Sequence, residues 1–134
     1  MSQTYLLDAN ALIALVIAEH EHHGRAVMWT ATVDQIALCP ITEGALARYL
    51  IRVGEAPTTV RQLLTALSRS TKAGFWPDSI SYVAAKLDHV TGYRQVTNAY
   101  LASLAASRGS RLATFDEALA NTLPEHVLLI PAFR

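Results

Sequence analysis

The 134-residue sequence contains a single cysteine, Cys39, so it closes no internal disulfide and offers no thiol pair for a metal. Cys39 sits in an apolar run and reads as a buried core thiol in a reducing compartment. No charge of one sign prevails, because eleven basic residues balance eleven acidic ones. Binding nucleic acid through bulk positive charge is therefore not expected. Lysine is scarce: nine of the eleven basic residues are Arg, leaving only Lys72 and Lys86. A guanidinium presents a planar fork that matches phosphate or carboxylate. No basic segment precedes the short apolar start, and Asp8 interrupts it, so no secretory leader is read there. The apolar run over residues 11–18 is too short to span a bilayer. A cytoplasmic protein with no membrane association is expected. A glycine-rich phosphate loop is missing, which argues against a nucleotide switch. Repeats, linkers and low-complexity tracts are missing too, so a single domain over residues 1–134 is expected.

What is present is enough apolar matter for a core: 51% apolar residues against 16% charged. Tyr5-Leu6-Leu7 reads as a strand that stops at Asp8. A helix over residues 11–18 follows, with Asn10 placed to cap it. A second helix is read over residues 25–33, then a buried strand over 36–39 bounded by Pro40. Thr42 opens a helix over 43–53, which ends near Gly54. Another helix starts at Pro57. Phe75-Trp76-Pro77 reads as a short edge strand, and residues 80–87 as a short helix. Thr97 is read as the cap of a helix over 98–108, with Gly109 as its stop. A strand over 111–114 leads into Phe115-Asp116, then come a helix over 117–122 and a last strand over 127–130. Strands alternating with helices imply a three-layer α/β/α sandwich around a parallel sheet of four to five strands. Such sheets bind ligands beyond the carboxyl ends of their strands, where strand order reverses.

Carboxylates occupy those places. Asp8 follows the first strand, Glu43 lies in the first helical turn after the second, and Asp116 follows the strand over 111–114. Singly, an acid at such a junction is a helix cap. Jointly at one sheet edge, three acids repel one another and call for a cation. Oxygen ligands with open positions suit Mg²⁺ or Mn²⁺. Asn98 opens its helix as Glu43 does.

Four segments, Leu6-Leu7-Asp8-Ala9-Asn10, Cys39-Pro40-Ile41-Thr42-Glu43, residues 92–101 and Arg111-Leu112-Ala113-Thr114-Phe115-Asp116, stand in an order that resembles PIN-domain ribonuclease toxins of the VapC type. The resemblance implies a Mg²⁺-dependent endoribonuclease toxin that cuts structured RNA such as tRNA or rRNA, leaving a 5′-phosphate and a 3′-hydroxyl. It implies a homodimer and a cognate VapB-like antitoxin. Asp8, Glu43 and Asp116 match family acidic positions, Thr114 the small hydroxyl before the last acid, and Asn10 the polar residue that supports the first. Asp8, Asp116 and Asn98 are the expected metal ligands. Glu43 is expected to ligate or to orient the attacking water.

Among other candidates, Arg94, Arg48 and Arg52 could meet RNA phosphates, with Arg94 nearest the expected mouth. The knot Glu19-His20-Glu21-His22-His23 reads as a solvated helix junction rather than a zinc site, since it lacks H-E-x-x-H. A phosphatase on a similar sheet is a rival reading, weakened by the absence of D-x-D around Asp8.

The departure from the family is Asn98, where an Asp is usual. Whether native or introduced, an amide keeps a carbonyl ligand and loses the charge. The chain is therefore either an active enzyme or a weakened module that binds RNA or antitoxin without efficient cleavage. Asn98→Asp is expected to raise both metal affinity and cleavage, and equal Mg²⁺ binding and equal cleavage by both forms would overturn that reading.

Overall fold

A computed structural model describes residues 3–132. Five strands form its sheet: β1 (Thr4–Leu7), β2 (Gln35–Leu38), β3 (Ala73–Phe75), β4 (Arg111–Thr114) and β5 (Val127–Leu129). Six helices connect them: α1 (Ala9–Val16), α2 (His23–Thr32), α3 (Pro40–Arg52), α4 (Pro57–Arg69), α5 (Val96–Ser107) and α6 (Glu117–Thr122). All strand pairings are parallel, in the order β3-β2-β1-β4-β5. The chain steps outward from β1 to β3, then crosses back to place β4 on the other side of β1. Strand order therefore reverses between β1 and β4, and a crevice opens beyond their carboxyl ends.

The two faces follow the period-2 alternation of the strands. Leu6, Ala37 and Leu112 point to the layer built by α5 and α6, where they meet Tyr100, Leu101, Leu104 and Leu119. Leu7, Ile36, Leu38 and Ala113 point the other way, to Leu12, Trp29, Leu46, Leu50 and Val60 of α1 through α4. With both faces covered, the strands read as apolar runs rather than alternating ones. Gly54 and Gly109 hold positive φ values of 100° and 67°. Gly109 terminates α5 as expected, its N–H donating to the Ala106 carbonyl while Ser110 N–H reaches back to Ala105.

Several local expectations need correction. Asp8, not Asn10, caps α1. The helix begins one residue after β1, which leaves Asn10 at an exposed position within its first turn. Thr42 does not open α3; Pro40 does, because its fixed φ and missing N–H suit the first helical position. Thr42 instead bonds back to Cys39, taking its N–H at 3.1 Å. Thr97 is not the cap of α5, which starts at Val96 directly after a 3₁₀ turn at Tyr93–Gln95. β3 ends at Phe75, short of Pro77. Residues 80–87 form only a 3₁₀ turn at Tyr82–Ala84. Beyond that turn, two of their backbone groups are tied to α5: Tyr100 Oη donates to the Ile80 carbonyl at 2.8 Å, and Lys86 N–H donates to Ser103 Oγ at 2.8 Å. No helix is long and apolar enough to cross a membrane among the described residues.

Leu46 is fully buried between α3 and the sheet, whereas Val83 is 95% exposed. Leu46→Ala is expected to lower unfolding free energy by about 2–5 kcal/mol, and Val83→Ala to change it by less than about 0.5 kcal/mol. Urea denaturation of both variants checks the contrast.

Candidate active site

Asp8 stands where β1 meets α1 and is 2% exposed. Its Oδ1 accepts the Ala11 N–H at 2.7 Å, which caps α1. Its Oδ2 accepts the Thr114 hydroxyl from the end of the neighbouring strand β4. Thr114 Oγ1 in turn accepts the Asp116 N–H at 3.0 Å. Asp116 caps α6 by accepting the Leu119 N–H at 3.1 Å. One chain of hydrogen bonds thus runs from α1 through both strand ends into α6. The acids remain caps, and capping is what aims them at the crevice.

Burial pushes the Asp8 carboxyl from 3.8 up to about 6, against the opposing pull of the Thr114 and Ala11 hydrogen bonds and with added repulsion from Asp116. Among the described residues the only side-chain ion pair joins His22 to Glu21, so no Lys or Arg pairs with Asp8 or Asp116. Glu43, in the first turn of α3, is also raised, first by burial and then by the charge of Asp78. Asp78 likewise adds to the upward shifts of Cys39 and Tyr100, both led by burial. Glu43 therefore answers electrically to Asp78 rather than to Asp8. Among the described residues no three His, Cys, Asp or Glu side chains gather tightly enough for a metal. The close group is two carboxylates and an amide: Asp8 beside Asp116, and Asp116 beside Asn98.

Asn98 and Asp116 share the wall of a cavity of about 180 Å³ with Arg94, His89, Ala118 and Leu119. Arg94 is the expected RNA-contacting arginine that the fold brings to the site. Its guanidinium lies 5.6 Å from the Tyr93 ring centroid. Arg48 and Arg52 stay exposed along α3. Arg52 lies over Tyr49, nine residues and roughly 13 Å of helix beyond Glu43. Asn10 is exposed, and both hydrogen bonds to Asp8 come from Ala11 and Thr114.

The histidine knot is more ordered than a solvated junction. His23 Nδ1 donates to the Ala14 carbonyl at 2.8 Å, and His22 stacks on Phe115 with centroids 4.7 Å apart. Arg25 covers the same Phe115 ring at 4.9 Å and donates to the Ile130 carbonyl. These contacts clamp the residue between Thr114 and Asp116. Two residues escaped the sequence reading. Asp78 lies three residues beyond β3, and it directly follows the strand read over Phe75-Trp76-Pro77, which was the signal that could have found it. His89 carries no local signal, since only the docking of its loop on α5 and α6 brings it to the cavity.

The PIN domain family matches residues 5–122 of the chain. The ribonuclease VapC29 of Mycobacterium tuberculosis is 45% identical over 129 residues, covering 96% of this chain and 97% of that protein. The ribonuclease VapC38 of the same organism is 40% identical over 119 residues, covering 83% and 84%. The crystal structure of M. tuberculosis VapC20, titled a sarcin-ricin loop cleaving toxin, superposes with a TM-score of 0.68 over 95% of this chain and 99% of that one. At 13% identity that likeness speaks for the fold.

A carboxyl held near 6 by burial favours its proton in the folded state, so stability falls as pH rises from about 4 to 6 and stays lowered above. A shift from 3.8 to about 6 corresponds to about 3 kcal/mol at neutral pH. Asp8→Asn is therefore expected to raise the melting temperature by several degrees at pH 7.5, with the gain fading at pH 4. A melting temperature that is unchanged or lower at pH 7.5 would contradict the electrostatic assignment.

Proposed function

Because this chain belongs to the PIN domain family, of the VapC type, we propose that it is a divalent-metal-dependent endoribonuclease and the toxin of a toxin–antitoxin pair. The observation that carries this reading is the desolvated Asp8 carboxylate held against Asp116 with no cationic side chain to neutralise it. The names of its relatives point the same way.

The donor set fits a hard cation. Asp8, Asp116 and Asn98 offer oxygen alone, and Mg²⁺ is commonly held by one or two carboxylates with its remaining positions filled by water. These three residues would hold Mg²⁺ or Mn²⁺, which supplies a low-pKa water and positive charge opposite the phosphate. Every other part belongs to the chain. Thr114 fixes the rotamer of Asp8 by donating to Oδ2, so that carboxylate cannot swing away when charged. The Asp116 N–H orients the Thr114 hydroxyl for that donation. Glu43, whose carboxyl is raised by burial and then by the charge of Asp78, stands in the first turn of α3 after β2, where it would ligate the metal or orient the attacking water. Arg94 stands at the mouth to meet a phosphate of structured RNA such as tRNA or rRNA. A VapB-like antitoxin would silence the site, and the working unit would be a homodimer.

Asn98 favours a second reading, a weakened enzyme, because its amide brings no charge to the wall it shares with Asp116. One assay tests both. The protein is incubated with folded tRNA and rRNA stem-loops in Mg²⁺ or Mn²⁺, with EDTA as control. Metal-dependent cleavage is expected, falling at least about 100-fold in Asp8→Asn and about 10–100-fold in Thr114→Val. Cleavage that survives EDTA or Asp8→Asn sinks the proposal. Cleavage only after Asn98→Asp selects the weakened enzyme.

A further inference from the structure

Arg25 is the third residue of α2, where local electrostatics disfavours it. A cation in the first turn of a helix meets the positive end of the helix dipole, and no acid stands in that turn to offset it. Nor does Arg25 neutralise the crevice, because among the described residues no basic side chain pairs with Asp8 or Asp116. Its place has another reason.

Arg25 Nε donates to the Ile130 carbonyl, 105 residues away, at 3.0 Å. A terminal nitrogen of the same guanidinium donates to the same oxygen. The guanidinium also lies over the Phe115 ring, 4.9 Å from its centroid, while His22 stacks on that ring at 4.7 Å. Ile130 N–H in turn donates to the Thr114 carbonyl at 2.8 Å. Three successive residues are thereby fixed by three different contacts. Ile130 holds the Thr114 backbone, His22 and Arg25 hold the Phe115 ring, and Thr114 Oγ1 takes the Asp116 N–H. Arg25 touches two of these anchors, Ile130 and Phe115. Without it the end of β4 would lean on β5, a three-residue strand at the sheet edge. Elements with few partners open first. Any turn of the backbone at Phe115 would carry Asp116 with it, while Asp8 stays pinned to α1.

We infer that Arg25 is a positioning residue of the active site: it ties α2 to the ends of β4 and β5, and so sets where Thr114 and Asp116 stand relative to Asp8. It acts through Ile130 and Phe115 and touches neither metal nor RNA. The fork of Nε and the terminal nitrogen is spent on a carbonyl, so it is not free to meet a phosphate. This role rests on the ribonuclease reading for the reaction it serves.

Amide exchange of the full chain in EDTA, followed by NMR, tests the tie apart from metal and catalysis. Arg25→Ala is expected to speed exchange of the Ile130 and Asp116 amides about 10-fold. Val60→Ala, which weakens the core from α4 and leaves the tie intact, should not speed those two. Mn²⁺ binding to the folded chain should weaken about 10–100-fold in Arg25→Ala, with kcat for RNA falling by a similar factor at unchanged KM. Val60→Ala should keep the parental values. Arg25→Lys, which keeps the charge but lacks the fork, should move the same readouts less. Phe115→Leu should speed the Asp116 amide, and Phe115→Tyr, which keeps the ring, should not. These milder variants decide the matter if Arg25→Ala does not fold. Identical changes in Arg25→Ala and Val60→Ala would make Arg25 a stabiliser of the fold at large and overturn the inference. A raised KM at parental kcat would make it an RNA contact and overturn it too. Faster Ile130 and Asp116 amides in a protein that neither binds Mn²⁺ nor cuts RNA sink the enzyme reading alone. Parental exchange, Mn²⁺ affinity and kcat in Arg25→Ala sink this inference alone.

Discussion

The hydrogen bond from the Thr114 hydroxyl to the Asp8 carboxylate joins the two strands between which the sheet reverses order. Everything at the site depends on it. It stitches the end of β4 to the end of β1, and the Asp116 N–H continues the stitch into α6. Ala11 completes it on the other side by donating to the second oxygen of Asp8. Because each acid is spent in part on capping a helix, it is held at a strand end beside the crevice. Local structure and functional aim are the same set of bonds.

Burial makes that arrangement costly. A carboxylate 2% exposed, with a second one nearby and no cation paired to either, destabilises the fold at neutral pH. The cores on either face offset it. Leu6 and Leu112 pack into one layer, and Leu7, Leu12 and Leu46 into the other. The clamp of His22 and Arg25 on Phe115 adds a local brace between the two residues that carry Thr114's hydroxyl and Asp116's carboxylate. The site is thus a strained point held by well-packed surroundings, as sites built for charge generally are.

Much of this is legible in the chain itself, and the illegible parts share a cause. Apolar runs ended by Asp8 and by Phe115-Asp116 expose β1 and β4 with their acids, because the strand positions buried on both faces exclude charge. Gly109 marks the end of α5 by the same local logic. Residues 76–95 do not read locally, because they hold only short 3₁₀ turns and are anchored to α5 by two long-range bonds, Tyr100 Oη to the Ile80 carbonyl and Lys86 N–H to Ser103 Oγ. His89 and Asp78 lie in that stretch, which is why the cavity wall and the neighbour of Glu43 were missed. Asn10 and Thr97 were given caps that belong to Asp8 and to the 3₁₀ turn before α5, since several polar residues near a helix start compete and only the chain's exit angle decides between them.

The two partners of the central stitch are 106 residues apart in the chain. A ribosome adds residues at about 5–20 per second, so Asp8 emerges roughly 5–20 s before Thr114 exists. Until then β1 has only β2 as a neighbour on one side, and its other edge is bare. No translation product that stops before Asp116 contains both acids. For a chain that would cut the RNA around it, this ordering keeps the nascent polypeptide harmless until nearly all of it has been made.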